Sequence, residues 1–172
     1  RYPHRHNAFQ HNEYSRNRQH GEASHALLDT ACKALARMTH RGAIAADGKT
    51  GDGCGVLLQF PRDFFQQVAA DENIRLARMF GVGMVFLGRD KDVAERSRSI
   101  LEKHLTGQMM NVAGWRDVPV NPSVCGPTAL DSMPLIKQVF VNAPPGWGLH
   151  DIERRLFVAR RLAAPAGAKR TR

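Results

Sequence analysis

The sequence predicts a domain of mixed α/β or α+β class, and three observations lead there. Four segments repeat their apolar residues at steps of three and four, the period of an amphipathic helix. Four short apolar runs of strand length lie among them, bounded by Gly, Pro, Asn and Asp. The chain has 172 residues, 42% of them hydrophobic, which suits one soluble domain and no internal repeat.

Residues 1–20, RYPHRHNAFQHNEYSRNRQH, have few apolar side chains and no period of either kind, so they are expected to be disordered. They also lack the apolar core of a secretory signal. A helix is expected from Ser24, its N-cap, with Leu28, Ala31, Leu35 and Met38 on one face. After a glycine-rich stretch, Val56 to Phe60 reads as a buried strand. Pro61 stands at the favoured start of a helix through about Ala70, with Asp71 to Arg78 continuing or restarting it. Phe80 to Leu87 is a strand whose Gly81 and Gly83 imply close packing or a bulge. Asp90 to Leu105 is helical, with Val93, Ile100, Leu101 and Leu105 toward the core. Gln108 to Val118 and Leu135 to Val141 are strands, joined by a Pro- and Gly-rich connection over 119–134. Leu149 to Leu162 is an Arg-rich helix, and 162–172 reads as a disordered tail.

Composition excludes several functions. The net charge of +9 divides into +3 in residues 1–20, +3 in 162–172 and +3 in everything between. Charge held in two polar ends does not make a basic groove, and no interleaved aromatics offer stacking platforms, so no nucleic-acid partner is expected. No apolar run approaches the roughly 18 to 20 residues that span a bilayer, so no membrane partner is expected either. Cys32, Cys54 and Cys125 form no CxxC pair and are odd in number, which argues for a reducing, cytoplasmic setting and against a disulfide framework or zinc ribbon. His4, His6, His11 and His20 crowd the polar start without acidic or Cys partners, and no metal site is expected.

The stretch from His40 to Gly55, HRGAIAADGKTGDGCG, raises the chemical question. A phosphate loop needs G-x-x-x-x-G-K-[ST] running from a strand into a helix. Here five residues separate Gly42 from Gly48, and the order is helix, loop, strand. Cys54 between two glycines suggests a nucleophile elbow, but an elbow leads into a helix, and a small residue packed at a strand start explains it as well. His40 and Arg41 suit the negative end of a helix dipole. What remains is a long, charged, glycine-rich loop, of a length that in compact domains is functional or disordered.

The segment ALARMTHRGAIAADGKTGDGCGVLLQFPRDFF resembles the N-terminal class II glutamine amidotransferase domain of the glutamate synthase large chain. There a helix leads into HRGA, then DGKTGDG, then a strand. GVGMVFL, the VAGWRDVPVN run from Val112, the IKQVFVNAP run from Ile136 and ERRLFVARR from Glu153 agree in the same order, so the resemblance spans 21–161. It implies an α+β fold of the N-terminal-nucleophile kind, antiparallel sheets sandwiched between helices, present here as a partial domain. It implies that an amino-terminal cysteine attacks the carboxamide of glutamine, its own α-amino group acting as base, through a glutamyl thioester. The ammonia would pass to a synthase domain carrying FMN and an iron–sulfur cluster, within the same chain and beside a small subunit.

The resemblance places His40, Arg41, Gly42, Asp47, Gly48, Gly51, Asp52 and Gly53 near the glutaminase pocket, with Arg41 and Asp52 fixing the loop through charge-assisted hydrogen bonds. The departures are as specific. SRNRQH, before Gly21, offers no nucleophilic cysteine, and LAAPAGAKRTR ceases to look like the family. The reading is therefore a fragment of the amidotransferase domain, from a truncated or frame-shifted frame, that neither hydrolyses glutamine alone nor holds a cofactor. The alternative is a non-catalytic binding or regulatory module on the same scaffold.

Overall fold

The computed structural model describes residues 24–38, 44–51 and 55–167. The expectations of disorder in 1–20 and at the end of 162–172 lie on residues outside that set. The chain divides into two compact units, one holding residues 61–119 and 134–167, the other 24–60 and 120–133.

The first unit is built on an antiparallel sheet of three strands, β1 (Phe80–Leu87), β2 (Asn111–Asp117) and β3 (Leu135–Asn142), in the order β1-β3-β2. Phe80 pairs with Asn142 and Leu87 with Leu135, so β1 is in register along its whole length. The ladder of β2 slips by one residue between Val112 and Gly114, a bulge that the sequence did not reveal. Side chains alternate across a strand, which assigns the two faces. Val139 and Val141 face α3 (Lys91–Gly107) and α5 (Leu149–Gly167), where Leu105, Met110, Ile152, Leu156 and Ala159 complete the main core. Phe140 points to the opposite face, fully buried, with its ring edge-on to Phe65 of α2 (Arg62–Asp71) at 6.4 Å. Helices thus cover both faces of one sheet.

Local chemistry sets the helix ends. Asp90 caps α3, accepting from the Val93 amide at 2.9 Å. α2 stops at Asp71 because Asn73 takes φ +56° and the Ile74 amide returns to Ala69 O at 2.7 Å, a left-handed C-terminal cap. The expected continuation of helix over Asp71 to Arg78 is therefore corrected: residues 74–78 run without helix. The same device ends α3, with Met109 at φ +63° and the Met110 amide on Leu105 O. It also delays β2, which begins at Asn111 rather than Gln108. α5 extends past Leu162 to Gly167. Gly81 bears out close packing, since a Cβ there would lie 2.8 Å from Leu156 Cδ1. Val93, expected in the core, is 43% exposed. It lies at the rim of an apolar cleft of about 540 Å³ between α3, α5 and β1, lined among others by Leu87, Leu101, Leu105 and Leu156.

The second unit holds α1 (His25–Ala36), a short hairpin at 44–51 and α4 (Pro127–Asp131). Ser24 caps α1 as expected, accepting from the Leu27 amide at 3.4 Å. No residue of α1 is buried, and Leu27 is 69% exposed, so its apolar face has no core of its own among the described residues. The expected buried strand from Val56 to Phe60 is also corrected. Residues 55–60 form no strand, and Leu57 is 75% exposed. An apolar run becomes a strand only when another strand satisfies its backbone, and no described strand lies alongside. The 119–134 connection is more ordered than its composition suggests. It contains a 3-10 helix at Pro122–Val124, capped by Asn121, and α4 with Pro127 in its first turn.

Candidate functional site

Of the eight residues singled out in the glycine-rich stretch, the structure describes Asp47, Gly48 and Gly51. His40, Arg41, Gly42, Asp52 and Gly53 lie outside the described residues, as does Cys54. The described part is a tight hairpin. Ile44 and Gly51 bridge in antiparallel fashion, and the Ala45 amide donates to Thr50 O at 2.6 Å. The Gly48 amide closes a turn onto Ala45 O at 3.0 Å. Gly48 takes φ +70°, the left-handed region where a side chain would be strained.

Asp47 organises this turn. Its Oδ1 accepts from the amides of Lys49 at 3.0 Å and Thr50 at 2.7 Å, and its Oδ2 accepts from the Thr50 hydroxyl at 2.5 Å. A fourth donor comes from far along the chain, the Thr128 amide, 3.4 Å from Oδ2. Thr128 sits in the first turn of α4, whose N-cap, Gly126, has no side chain to offer, so Asp47 supplies the missing acceptor. The Thr50 hydroxyl, followed by the amides of Thr50 and Lys49, holds the Asp47 carboxyl well below the usual carboxylate range.

These contacts decide what the turn can do. The amides of residues 49 and 50, the donors a phosphate would need, already point at the protein's own carboxylate. Four donors already occupy the Asp47 carboxylate, so the Thr50 hydroxyl beside it is held rather than activated. The hairpin is a turn whose one carboxylate, Asp47, ties it to Thr128, 81 residues along the sequence. Cys32 is exposed on α1, and Cys125 is partly buried at the end of the 3-10 helix. Among the described residues no three His, Cys, Asp or Glu side chains gather where they could hold a metal ion. No described helix is long and apolar enough to cross a membrane.

Sequence reading missed Thr128. Cys125-Gly126-Pro127-Thr128 reads as an ordinary turn, and nothing in its spacing signals a partner 81 residues away in the sequence.

The family of glutamine amidotransferases class-II matches residues 17–171. The chain belongs to that family. Ferredoxin-dependent glutamate synthase 2 of Synechocystis sp. is 38% identical over 144 residues, which take in 83% of this chain and 9% of that protein. Ferredoxin-dependent glutamate synthase 1 of Arabidopsis thaliana is 37% identical over 147 residues, 84% of this chain and 9% of the relative. The NADPH glutamate synthase large chain of Bacillus subtilis is 34% identical over 146 residues, 83% of this chain and 10% of the relative. The resemblance read from HRGA, DGKTGDG and GWRDVP therefore stands, and the amidotransferase match reaches past both Gly21 and Arg161. This class II domain spans about a tenth of the length of those relatives, and its three-stranded antiparallel sheet with helices is compatible with the expected α+β class.

Proposed function

We propose that the chain is part of the glutamine amidotransferase domain of a glutamate synthase, supplying scaffold around a glutamine pocket rather than the nucleophile itself. The observation that carries this is the Asp47 hairpin, where the DGKTG part of the motif folds into one tied turn with no described nucleophile and base poised to react. The motif residues His40, Arg41, Gly42, Asp47, Gly48, Gly51, Asp52 and Gly53 are the proposed border of the pocket, and glutamine is the proposed substrate of the complete domain. The complete fold is a sandwich of two antiparallel sheets between helices. In it an amino-terminal cysteine carries out the attack, its thiolate opening the carboxamide and its α-amino group taking the proton.

None of the three cysteines substitutes for that residue. Each is internal to the chain, so none has a free α-amino group beside its sulfur. FMN and an iron–sulfur cluster belong to the synthase domain of the longer enzyme, where ammonia would be consumed in a cytoplasmic setting, beside a small subunit.

The test is to incubate the purified chain with glutamine and with diazo-oxo-norleucine, which alkylates class II nucleophiles. The expected result is no ammonia and an unchanged mass. A stoichiometric adduct on Cys32, Cys54 or Cys125 together with ammonia release would overturn the scaffold reading. Reading the flanking DNA in all frames tests the parentage: synthase-domain sequence downstream supports it, and a self-contained gene without such sequence favours a non-catalytic module.

A further inference from the structure

We infer that Gly126 is a positioning residue for the glycine-rich hairpin: the absence of a side chain there lets the 126–128 segment seat against Asp47 and Thr50 and fix the turn between them. The inference rests on the reading of that hairpin as a border of the glutamine pocket, and extends the border to a segment outside the motif.

The geometry is close on three sides. A Cβ built on Gly126 would lie 2.5 Å from Thr50 Oγ1, 2.6 Å from Asp47 Oδ2 and 2.9 Å from the Thr50 backbone nitrogen. Flexible side-chain ends could yield, but here the obstructing atoms are already bound to one another. Thr50 Oγ1 and Asp47 Oδ2 share a hydrogen bond, and the Thr50 nitrogen donates to Asp47 Oδ1. Moving either oxygen breaks the Asp47 network, and moving the nitrogen moves the turn. The same Oδ2 receives the Thr128 amide, so the bond that reaches across 81 residues of sequence depends on the approach that Gly126 permits. Gly126 itself has ordinary extended geometry, φ −75° and ψ 160°, so close approach, not backbone conformation, is what demands a glycine.

Amide hydrogen exchange on the nitrogen-15-labelled full chain tests this. Gly126→Ala is expected to speed exchange at the Lys49 and Thr50 amides about tenfold, while Phe140 and Val141 in the sheet of the other unit exchange as before. Thr50→Ser, which keeps the hydroxyl, is expected to retain protection, and Thr50→Val to lose it. Wild-type exchange at residues 49 and 50 in Gly126→Ala would overturn the inference. Should that variant also lose protection in α1, Asp47→Ala decides: the Thr128 amide opening together with residues 49 and 50 supports the latch, and an unchanged Thr128 amide overturns it. Added glutamine separates this inference from the reading beneath it. Shifts confined to the amides of residues 48–51 in the wild type, lost in Gly126→Ala, support both. No shift, with the exchange result intact, counts against a glutamine contact at the hairpin in this chain and leaves the positioning role standing.

Discussion

Trp115 of β2 donates its indole N–H to Glu102 Oε1 of α3 across 2.6 Å. The same oxygen accepts from Arg98 Nε at 3.1 Å, and the Arg98 guanidinium lies 5.0 Å from the centre of the Trp115 ring. The three side chains form a closed, partly buried triangle that ties helix to sheet. Glu102→Ala strands the indole N–H and leaves Arg98 only its longer pairing with Glu95, at 3.9 Å, and is expected to cost about 1.5–3 kcal/mol, as hydrogen bonds to a charged acceptor do. Glu102→Gln, which keeps an acceptor, is expected to cost less than half of that. Denaturant unfolding followed by tryptophan fluorescence measures both, and equal losses in the two variants would contradict the role given to the acceptor.

Two glycines of the sheet face side chains of different stiffness. A Cβ at Gly114 would meet three atoms of Ile74, the nearest at 2.7 Å, whereas one at Gly81 would meet chiefly the tip of Leu156, at 2.8 Å. The branch at Cβ restricts Ile74 in its first torsion, and leucine can swing aside. Gly114→Ala is therefore expected to destabilise by about 2–3 kcal/mol and Gly81→Ala by about 1 kcal/mol, read as the difference in denaturant midpoints. The reverse order would show that the loop bearing Ile74 moves more easily than α5.

Met109 holds φ +63° at the end of α3 and is 60% exposed. Its side chain adds strain where glycine would add none, set against the larger chain entropy of an unfolded glycine. Met109→Gly is expected to raise the stability of the first unit by about 0.5–1 kcal/mol, visible as a higher melting temperature. A lower one would mean that the methionine makes contacts outweighing the strain.

The Asp47 carboxyl is held low by the Thr50 hydroxyl first and then by the amides of Thr50 and Lys49. A folded pKa below the unfolded value of about 3.9 gives stability that is fully present above that value and disappears as pH falls through the folded one. The hairpin is thus expected to be indifferent to pH from neutrality down to about pH 4 and to loosen only in stronger acid. Thr50→Val is expected to move the Asp47 titration back toward the ordinary carboxylate range, as followed by carboxyl carbon shifts. An unmoved titration would assign the shift to the backbone amides alone.

The contrast between β1 and the Val56 to Phe60 run shows what the sequence could reveal. Both are apolar and of strand length, yet β1 finds β3 along its full register, while residues 55–60 have no described strand to pair with. Local pattern reports readiness to pair and not the presence of a partner. The cap on α1 was legible because Ser24 acts on an amide three residues away, whereas Asp90, read as the first helical residue, is the cap of α3. The ends of α2 and α3 were not legible, because Asn73 and Met109 take left-handed geometry without a glycine to announce it. At the site, Asp47 could be singled out from its motif, but its bond to Thr128 depends on tertiary approach alone.

The central strand of the sheet is also the last to be made. β1 and β2 each pair with β3, and Phe80 waits for Asn142. On the ribosome, a nascent chain released from the tunnel as far as Met133 contains β1 and β2 without the strand that joins them. The first unit must then fold late, its apolar β1 dependent on helix contacts or chaperones until Leu135–Asn142 emerges. Any shortening of the message before that segment removes the sheet as a whole and not one strand of it.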